Sequence, residues 1–284
     1  MNPDLKADLH THTSASDGAF DVQAVVDKLY ARGIAIFSIT DHDTVASVPA
    51  AMEAARAANM ECIPGIEMSV WLEQTDIHVL GYFFDHASAQ ITEYSEMRGK
   101  ERLKRAERIV EKLNALHMPI TIDEVKRQTH GSVIGRPHIA AALVAGGHVA
   151  TYAESFVKYI GNTAPAYEPL RRFQFTEALE LMHSLGGVAV IAHPAVVSEE
   201  VLMKAIDAGV DGIETVHPSS SQSQTALFRS IASEYFLLET GGSDFHGGPR
   251  YDEFSLGKYW IPAAGVEKIR RFAQLQTKSP DGAQ

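Results

Sequence analysis

Short runs of strand character recur along the chain, with amphipathic helical stretches between most of them, and this alternation constrains the fold more than any other feature. The runs are residues 7–13, 34–43, 61–70, 76–84, 187–194, 211–218 and 236–246, seven in all. Helical stretches at 21–33, 46–59, 176–187, 198–209 and 223–235 repeat their apolar positions at three and four residues, and several end at Gly or Asn. Strands alternating with helices predict an α/β fold with a parallel sheet, most simply a closed or nearly closed barrel.

Residues 86 to about 175 break the rhythm. A long charged helix at 97–117 opens the segment, followed by helical patterns at 121–129 and 136–147. Strands resume afterwards in the same rhythm, so the reading is a barrel built from 1–85 and 176–284 with a helical insertion, 86–175, emerging after the fourth strand.

Charge separates the same two parts. The whole chain of 284 residues carries a net charge of −11, which argues against a surface that wraps duplex nucleic acid. Between Arg98 and Arg172, however, there are 13 Lys and Arg against 7 Asp and Glu, a net of +6 that leaves −17 for the remainder. A single cysteine, Cys62, allows no internal disulfide, and no apolar run approaches the roughly 18 residues needed to cross a bilayer. The start, MNPDLKADLHTHTS, lacks the basic and apolar regions of a signal peptide, so a cytoplasmic protein without membrane partners is expected.

Functional residues of parallel α/β barrels sit at the C-terminal ends of strands, where potential metal ligands gather in this sequence. His10 and His12 end the first run, with Asp17 just beyond; Asp41, His42 and Asp43 end the second. Glu67 lies on the third and His78 on the fourth, His193 and His217 end the fifth and sixth, and Asp244 and His246 end the seventh. Histidines at i and i+2 of an extended strand share a face, about 7 Å apart, and can chelate one ion. Any one of these histidines alone is more commonly a satisfied polar residue. The ensemble at successive strand ends points to metal. Imidazole and carboxylate without thiolate suit Mn²⁺, Zn²⁺ or Fe²⁺. So many ligands imply two or three ions, with a carboxylate such as Glu67 bridging a pair, the arrangement used in phosphoryl transfer.

The motifs DLHTHTSASDG, SITDHDT, PGIEMS, IAHP and GGSDFH resemble those of the PHP (polymerase and histidinol phosphatase) family of metal-dependent phosphoesterases. VIGRPHIAAAL at 133–143 followed by YEPL at 167–170 is similar to the subgroup containing nucleoside 3′,5′-bisphosphate phosphatases and 5′→3′ exoribonucleases. The resemblance implies a distorted (β/α)₇ barrel. It further implies that His10, His12, Glu67 and Asp244 hold one metal, that Glu67, His78 and His193 hold a second, and that Asp17, His42 and His246 hold a third. Asp17 stands where many trinuclear members carry His, which puts the third ion in question. Glu67, Asp244 and His193 are the residues expected to carry catalysis, with Mn²⁺ as the first choice of metal and Mg²⁺ admissible.

The basic insertion suggests an anionic substrate. Arg136 in GRPH is the first choice for a phosphate clamp, because its planar fork matches phosphate bidentately; the competing reading is a helix cap at Pro137. Ser132, Gly135 and His138 are placed beside it, and His217 and Arg250 are assigned to the substrate side. The basic run 98–112, interleaved with Glu101, Glu107 and Glu111, reads as a solvated helix face. The expected activity is removal of the 3′-phosphate from nucleoside 3′,5′-bisphosphates such as adenosine 3′,5′-bisphosphate. The alternatives are 5′→3′ exonuclease action on short 5′-phosphorylated RNA and, from another class, a non-catalytic metal-stabilised accessory module; the filled ligand positions argue against the module. The sequence leaves the oligomeric state open.

Overall fold

A computed structural model describes residues 5–129 and 132–277. The first four residues of the stretch read above for a leader lie outside them. Ten α-helices and eight strands are present among the described residues, and the strands form a single sheet in the order β7-β6-β5-β4-β3-β2-β1-β8. The strands are β1 (Lys6–Asp8), β2 (Ile34–Ile39), β3 (Glu61–Leu72), β4 (Thr75–Tyr82), β5 (Val188–Ile191), β6 (Gly212–Val216), β7 (Leu238–Gly241) and β8 (Ile261–Pro262). Beyond its last formal pairing the sheet curls back on itself. Leu9 N–H donates to Gly241 O at 3.1 Å and His12 N–H to Phe245 O at 2.9 Å, so the first and seventh strand segments nearly close a distorted barrel.

Two details correct the sequence reading. β8, two residues antiparallel to β1, adds an eighth strand. β4 runs antiparallel to both β3 and β5, so the sheet is mixed rather than all parallel. The reason is chain length: a parallel connection needs a crossover of a dozen or more residues, whereas Leu72 and Thr75 are joined by Glu73 and Gln74 alone, with Glu73 at φ +56° to close the hairpin.

The barrel interior is filled by Ala7, Leu9, Ile36, Ile63, Leu80, Tyr82, Val188 and Val190, and the C-terminal helix α10 (Ala263–Thr277) packs Val266, Ile269 and Ala273 onto the same cluster. Apolar side chains therefore fill one end, which leaves polar groups to occupy the other. A separate cluster, with Ile109, Leu113, Val125, Ile139, Leu143 and Ile160 at its centre, belongs wholly to the inserted helices. Those helices are α3 (Ala89–Ala115), α4 (Ile122–Gln128), α5 (Arg136–Ala145) and the short α6 (Tyr152–Ser155), which runs on into a π-helical turn, Phe156–Ile160. No helix among the described residues is long and apolar enough to cross a membrane.

Candidate metal centre and substrate pocket

Alternation along the first strand segment builds the start of the site. Thr11 turns outward and donates to Ser38 O at 2.8 Å, while His10 and His12 point the opposite way, fully buried, with ring centroids 5.2 Å apart. Glu67, on β3 and 1% exposed, reaches the centre of the cluster. Its Oε2 lies 3.3 Å from His10 Nε2, 3.2 Å from His12 Nε2 and 3.1 Å from His42 Nδ1. Its Oε1 lies 2.8 Å from His78 Nδ1 and 3.0 Å from His193 Nε2. One carboxylate thus faces five imidazoles from four parts of the barrel.

Asp244 and Asp17 extend the cluster on either side. Asp244 Oδ1 stands 3.3 Å from His10 Nε2 and 3.2 Å from His12 Nε2. Asp17 Oδ1 stands 3.2 Å from His246 Nε2 and 3.8 Å from His42 Nε2. The structure brings together His10, His12, Glu67 and Asp244 as one potential ligand group, and His12, Asp17, His42 and His246 as another, each with ligand atoms within 4.8 Å of one another. His42, Glu67 and His78 form a third such group, with His193 Nε2 3.2 Å from His78 Nδ1.

Divalent cations fit these donors. His10 Nε2, His12 Nε2, Glu67 Oε2 and His246 Nε2 are buried without a hydrogen-bond partner among the described residues. Buried polar atoms left unpaired are costly, and here they converge on one another, as lone pairs aimed at a cation do. Burial would raise the carboxyls of Glu67 and Asp244, but the imidazoles around them outweigh it and hold both well below the usual carboxylate range. Three strand-end residues at the site, Asp43, His193 and Asp244, take positive φ of 54°, 31° and 48°, the kind of backbone strain that concentrates at functional sites.

Residues that the sequence reading passed over orient the ligands. Glu214 on β6, fully buried, accepts from His10 Nδ1 at 2.9 Å and from His193 N–H at 2.7 Å. Asp8 accepts from His10 N–H at 3.3 Å and Ser243 N–H at 2.9 Å, tying β1 to the Asp244 loop. For Glu214 a signal was present in the sequence, since it is the one charged residue of β6. Asp41 gathers Thr13 N–H at 2.8 Å and the hydroxyls of Thr13 and Ser16, both at 2.6 Å, fixing the loop that carries Asp17.

Over the candidate metal ligands lies a pocket of about 230 Å³, and the insertion lines its far side with Arg102, Arg105, Gly135 and Arg136. The expectation of a solvated face for 98–112 is corrected here. Lys104 and Arg108 are exposed, but Arg98, Arg102 and Arg105 are buried on the inner stripe of α3. Arg105 donates through Nε to Glu168 O at 2.7 Å, while its Nη2 is buried with no hydrogen-bond partner among the described residues. Burial draws its guanidinium down to about 10, and the charges of Arg136 and Arg102 add to the effect. Arg136 donates to Asn162 Oδ1 at 2.6 Å and stands over Tyr167 and Phe156.

The remaining expected substrate contacts divide. Gly135 lines the pocket, although its N–H donates to His138 Nδ1 at 2.9 Å, which turns His138 onto its own helix terminus and away from the pocket. Ser132 faces a different groove and donates to Ser16 O and Thr129 O. His217 is buried behind Asp244, with Nε2 3.3 Å from its Oδ2. Arg250 lines the pocket, but its Nη2 donates to Asp17 Oδ2 at 2.6 Å.

Comparison with known proteins agrees with this geometry. The PHP domain family matches residues 8–112. The 5′-3′ exoribonuclease Rnm of Salmonella typhimurium is 32% identical over 270 residues, covering 92% of each chain. A 3′,5′-nucleoside bisphosphate phosphatase of Chromobacterium violaceum is 30% identical over 84% of this chain and 86% of its own. A crystal structure from Bifidobacterium adolescentis, described as a metal-dependent phosphoesterase, superposes with a TM-score of 0.86 at 32% identity, covering 94% of this chain and 96% of that one. With a shared fold, near-complete coverage and a cluster of unpaired buried ligands at the barrel mouth, the chain belongs to the PHP family of metal-dependent phosphoesterases and is a phosphoric ester hydrolase.

Proposed function

We propose that this phosphoesterase removes the 3′-phosphate from nucleoside 3′,5′-bisphosphates, adenosine 3′,5′-bisphosphate among them, leaving the 5′-monophosphate and free phosphate. One observation carries the reading: a single small pocket has the Glu67 cluster on one side and Arg105 and Arg136 on the other. Two anionic groups on one small molecule match two separated electropositive ends.

His10, His12, Glu67 and Asp244 would hold one ion, Glu67, His78 and His193 a second, and Asp17, His42 and His246 a third, with Mn²⁺ the metal of choice. When bound, the ions supply Lewis acidity and activate the attacking water. Water oxygen attacks phosphorus, the bond from phosphorus to the ribose 3′-oxygen breaks, and that oxygen takes a proton as it leaves. Glu67 and Asp244 would meet the ions as carboxylates, the form in which a carboxyl group ligates a divalent cation. Glu214 fixes the His10 ring and the His193 backbone and so keeps the ligand array rigid. Arg105 and Arg136 would bind the 5′-phosphate, a part of the substrate that does not react, through charge-assisted hydrogen bonds.

Exonuclease action on short 5′-phosphorylated RNA is a second reading, favoured by an open groove that continues from the pocket past Phe156 and Arg250. A substrate panel that includes 5′-phosphorylated RNA oligomers tests both, mononucleotide release from the oligomers marking the second reading. Phosphate release should be fastest from adenosine 3′,5′-bisphosphate, slower from 3′-AMP, and absent from 5′-AMP and histidinol phosphate, and chelation should abolish it. Equal turnover of 3′-AMP and the bisphosphate would overturn the 5′-phosphate reading.

A further inference from the structure

A groove of about 1040 Å³ opens beside the metal pocket and shares Phe156 and Arg250 with it as common wall. Tyr152, Phe156 and Val157 from α6 and the π-helical turn form one side, and Pro249, Arg250 and Tyr251 form the other. Its apolar groups are presented to solvent: Tyr251 is 83% exposed and Val157 82%. Tyr251 also holds φ +53°, a conformation unfavourable for a bulky residue, and projects an aromatic ring that no packing requires there. On a chain of net charge −11, the groove lining contains no carboxylate and one arginine among the described residues.

We propose that this groove holds, by stacking, the nucleobase of the nucleotide that follows the reacting phosphate when the substrate is an RNA chain. The inference rests on the reading of the metal pocket as a site for a 5′-phosphorylated nucleotide and extends it to a substrate class. A single nucleotide is accounted for by the pocket between Arg105 and Glu67, whereas the groove is at the upper end of the volume of a small-molecule site and stays open at the surface. Exposed aromatic rings beside an anion pocket are the usual platform for single-stranded nucleic acid, because every base offers a π-face. The missing carboxylates remove the repulsion that the acidic barrel would otherwise direct at a second phosphate.

The test measures binding, which keeps it independent of turnover. A phosphorothioate-linked, 5′-phosphorylated tetraribonucleotide with a 3′ fluorophore is titrated by anisotropy with the Mn²⁺-loaded protein. Adenosine 5′-monophosphate, which the proposed reaction does not consume, serves as competitor. Tyr251→Ala should weaken the tetramer about tenfold while leaving the competitor's affinity as it was, and Tyr251→Phe should restore tetramer binding. Val157→Asp, which places a carboxylate in the groove, should weaken the tetramer as well. Tetramer affinity insensitive to Tyr251→Ala and Val157→Asp overturns the proposal, as does a dimer in sedimentation that Val157→Asp dissolves while RNA binding persists. Absence of phosphate release from the bisphosphate, with Tyr251-dependent tetramer binding intact, would count against the proposed reaction and leave the groove assignment standing.

Discussion

Arg102 Nε donates to Asp43 Oδ2 at 2.7 Å, joining the inner stripe of the inserted helix α3 to the strand end that carries His42. Asp43, fully buried, also accepts from Tyr94 OH at 2.5 Å and Ser69 N–H at 2.8 Å, and Arg98 Nε stands 3.5 Å away. Two buried arginines thus share one buried carboxylate at the seam between insertion and barrel. Asp43→Asn keeps the shape and removes the charge, leaving both guanidiniums uncompensated. Breaking buried pairs in this way costs about 3–5 kcal/mol. Arg108→Ala removes only an exposed partner of Glu168 and should change stability by less than about 1 kcal/mol. Urea denaturation of the two variants checks the contrast, and similar midpoints would mean that the seam contributes nothing.

Glu67 and Asp17 differ in how many ions each would touch. Glu67 faces five imidazoles, whereas Asp17 faces His246 and His42 and is already engaged by Arg250. Glu67→Gln should lower kcat by about a hundredfold or more, in line with the loss of a metal-centre residue, and should reduce the Mn²⁺ retained after gel filtration. Asp17→Asn should have a smaller effect on both. Equal and mild losses would show that the bridging assignment of Glu67 is mistaken.

The convergence of His10, His12, Asp17, His42, His193, Asp244 and His246 was legible because they follow strand ends, which a barrel brings together, and Glu67 and His78 join them from within β3 and β4. Glu214 and Asp8 were less visible. Their meaning lies in partners far along the chain, His10 for Glu214 and Ser243 for Asp8. The arginines were misread for a different reason. Charge frequency along 98–112 suggested solvent, yet Arg98, Arg102 and Arg105 continue the stripe of Ile91 and Tyr94 toward Ile109 and Leu113, spaced by three and four residues. Periodicity was the better guide there, since a cation on the apolar stripe of a helix must find a buried partner. The reversal of β4 was also available from spacing alone, because two residues between Leu72 and Thr75 cannot make a crossover.

Cys62 sits on β3 with Sγ directed at Ile63 O, and burial pushes its thiol up to about 12. At pH 8 the thiolate is therefore scarce, so iodoacetamide should react much more slowly than with an unperturbed cysteine. Reactivity should appear on unfolding in urea. Rapid alkylation of the native protein would contradict the burial of this strand, and activity should be indifferent to the reagent in either case.

Arg105 and Arg136 make separable contributions to the far side of the pocket. Arg136 is the first residue of α5, but its side chain does not cap that helix; it reaches Ile160 O at 3.3 Å and Asn162 Oδ1, at the end of the π-helical turn. Arg105 keeps Nη2 unpartnered in a site where its own charge is disfavoured by burial and by its neighbours. An arriving phosphate dianion relieves both conditions at once. Charge-assisted contacts of this kind contribute about 1.5–3 kcal/mol, or about ten- to hundredfold. Arg105→Ala should therefore lower kcat/KM for adenosine 3′,5′-bisphosphate by that factor and leave 3′-AMP nearly unchanged. Arg136→Ala should show the same selectivity together with a small loss of thermal stability, because it also frees the end of the π-helical turn. Asn162→Ala isolates that structural share: it should reproduce the stability loss without the selectivity. If Arg105→Ala and Arg136→Ala both slow the two substrates equally, the arginines organise the insertion and the 5′-phosphate is bound elsewhere.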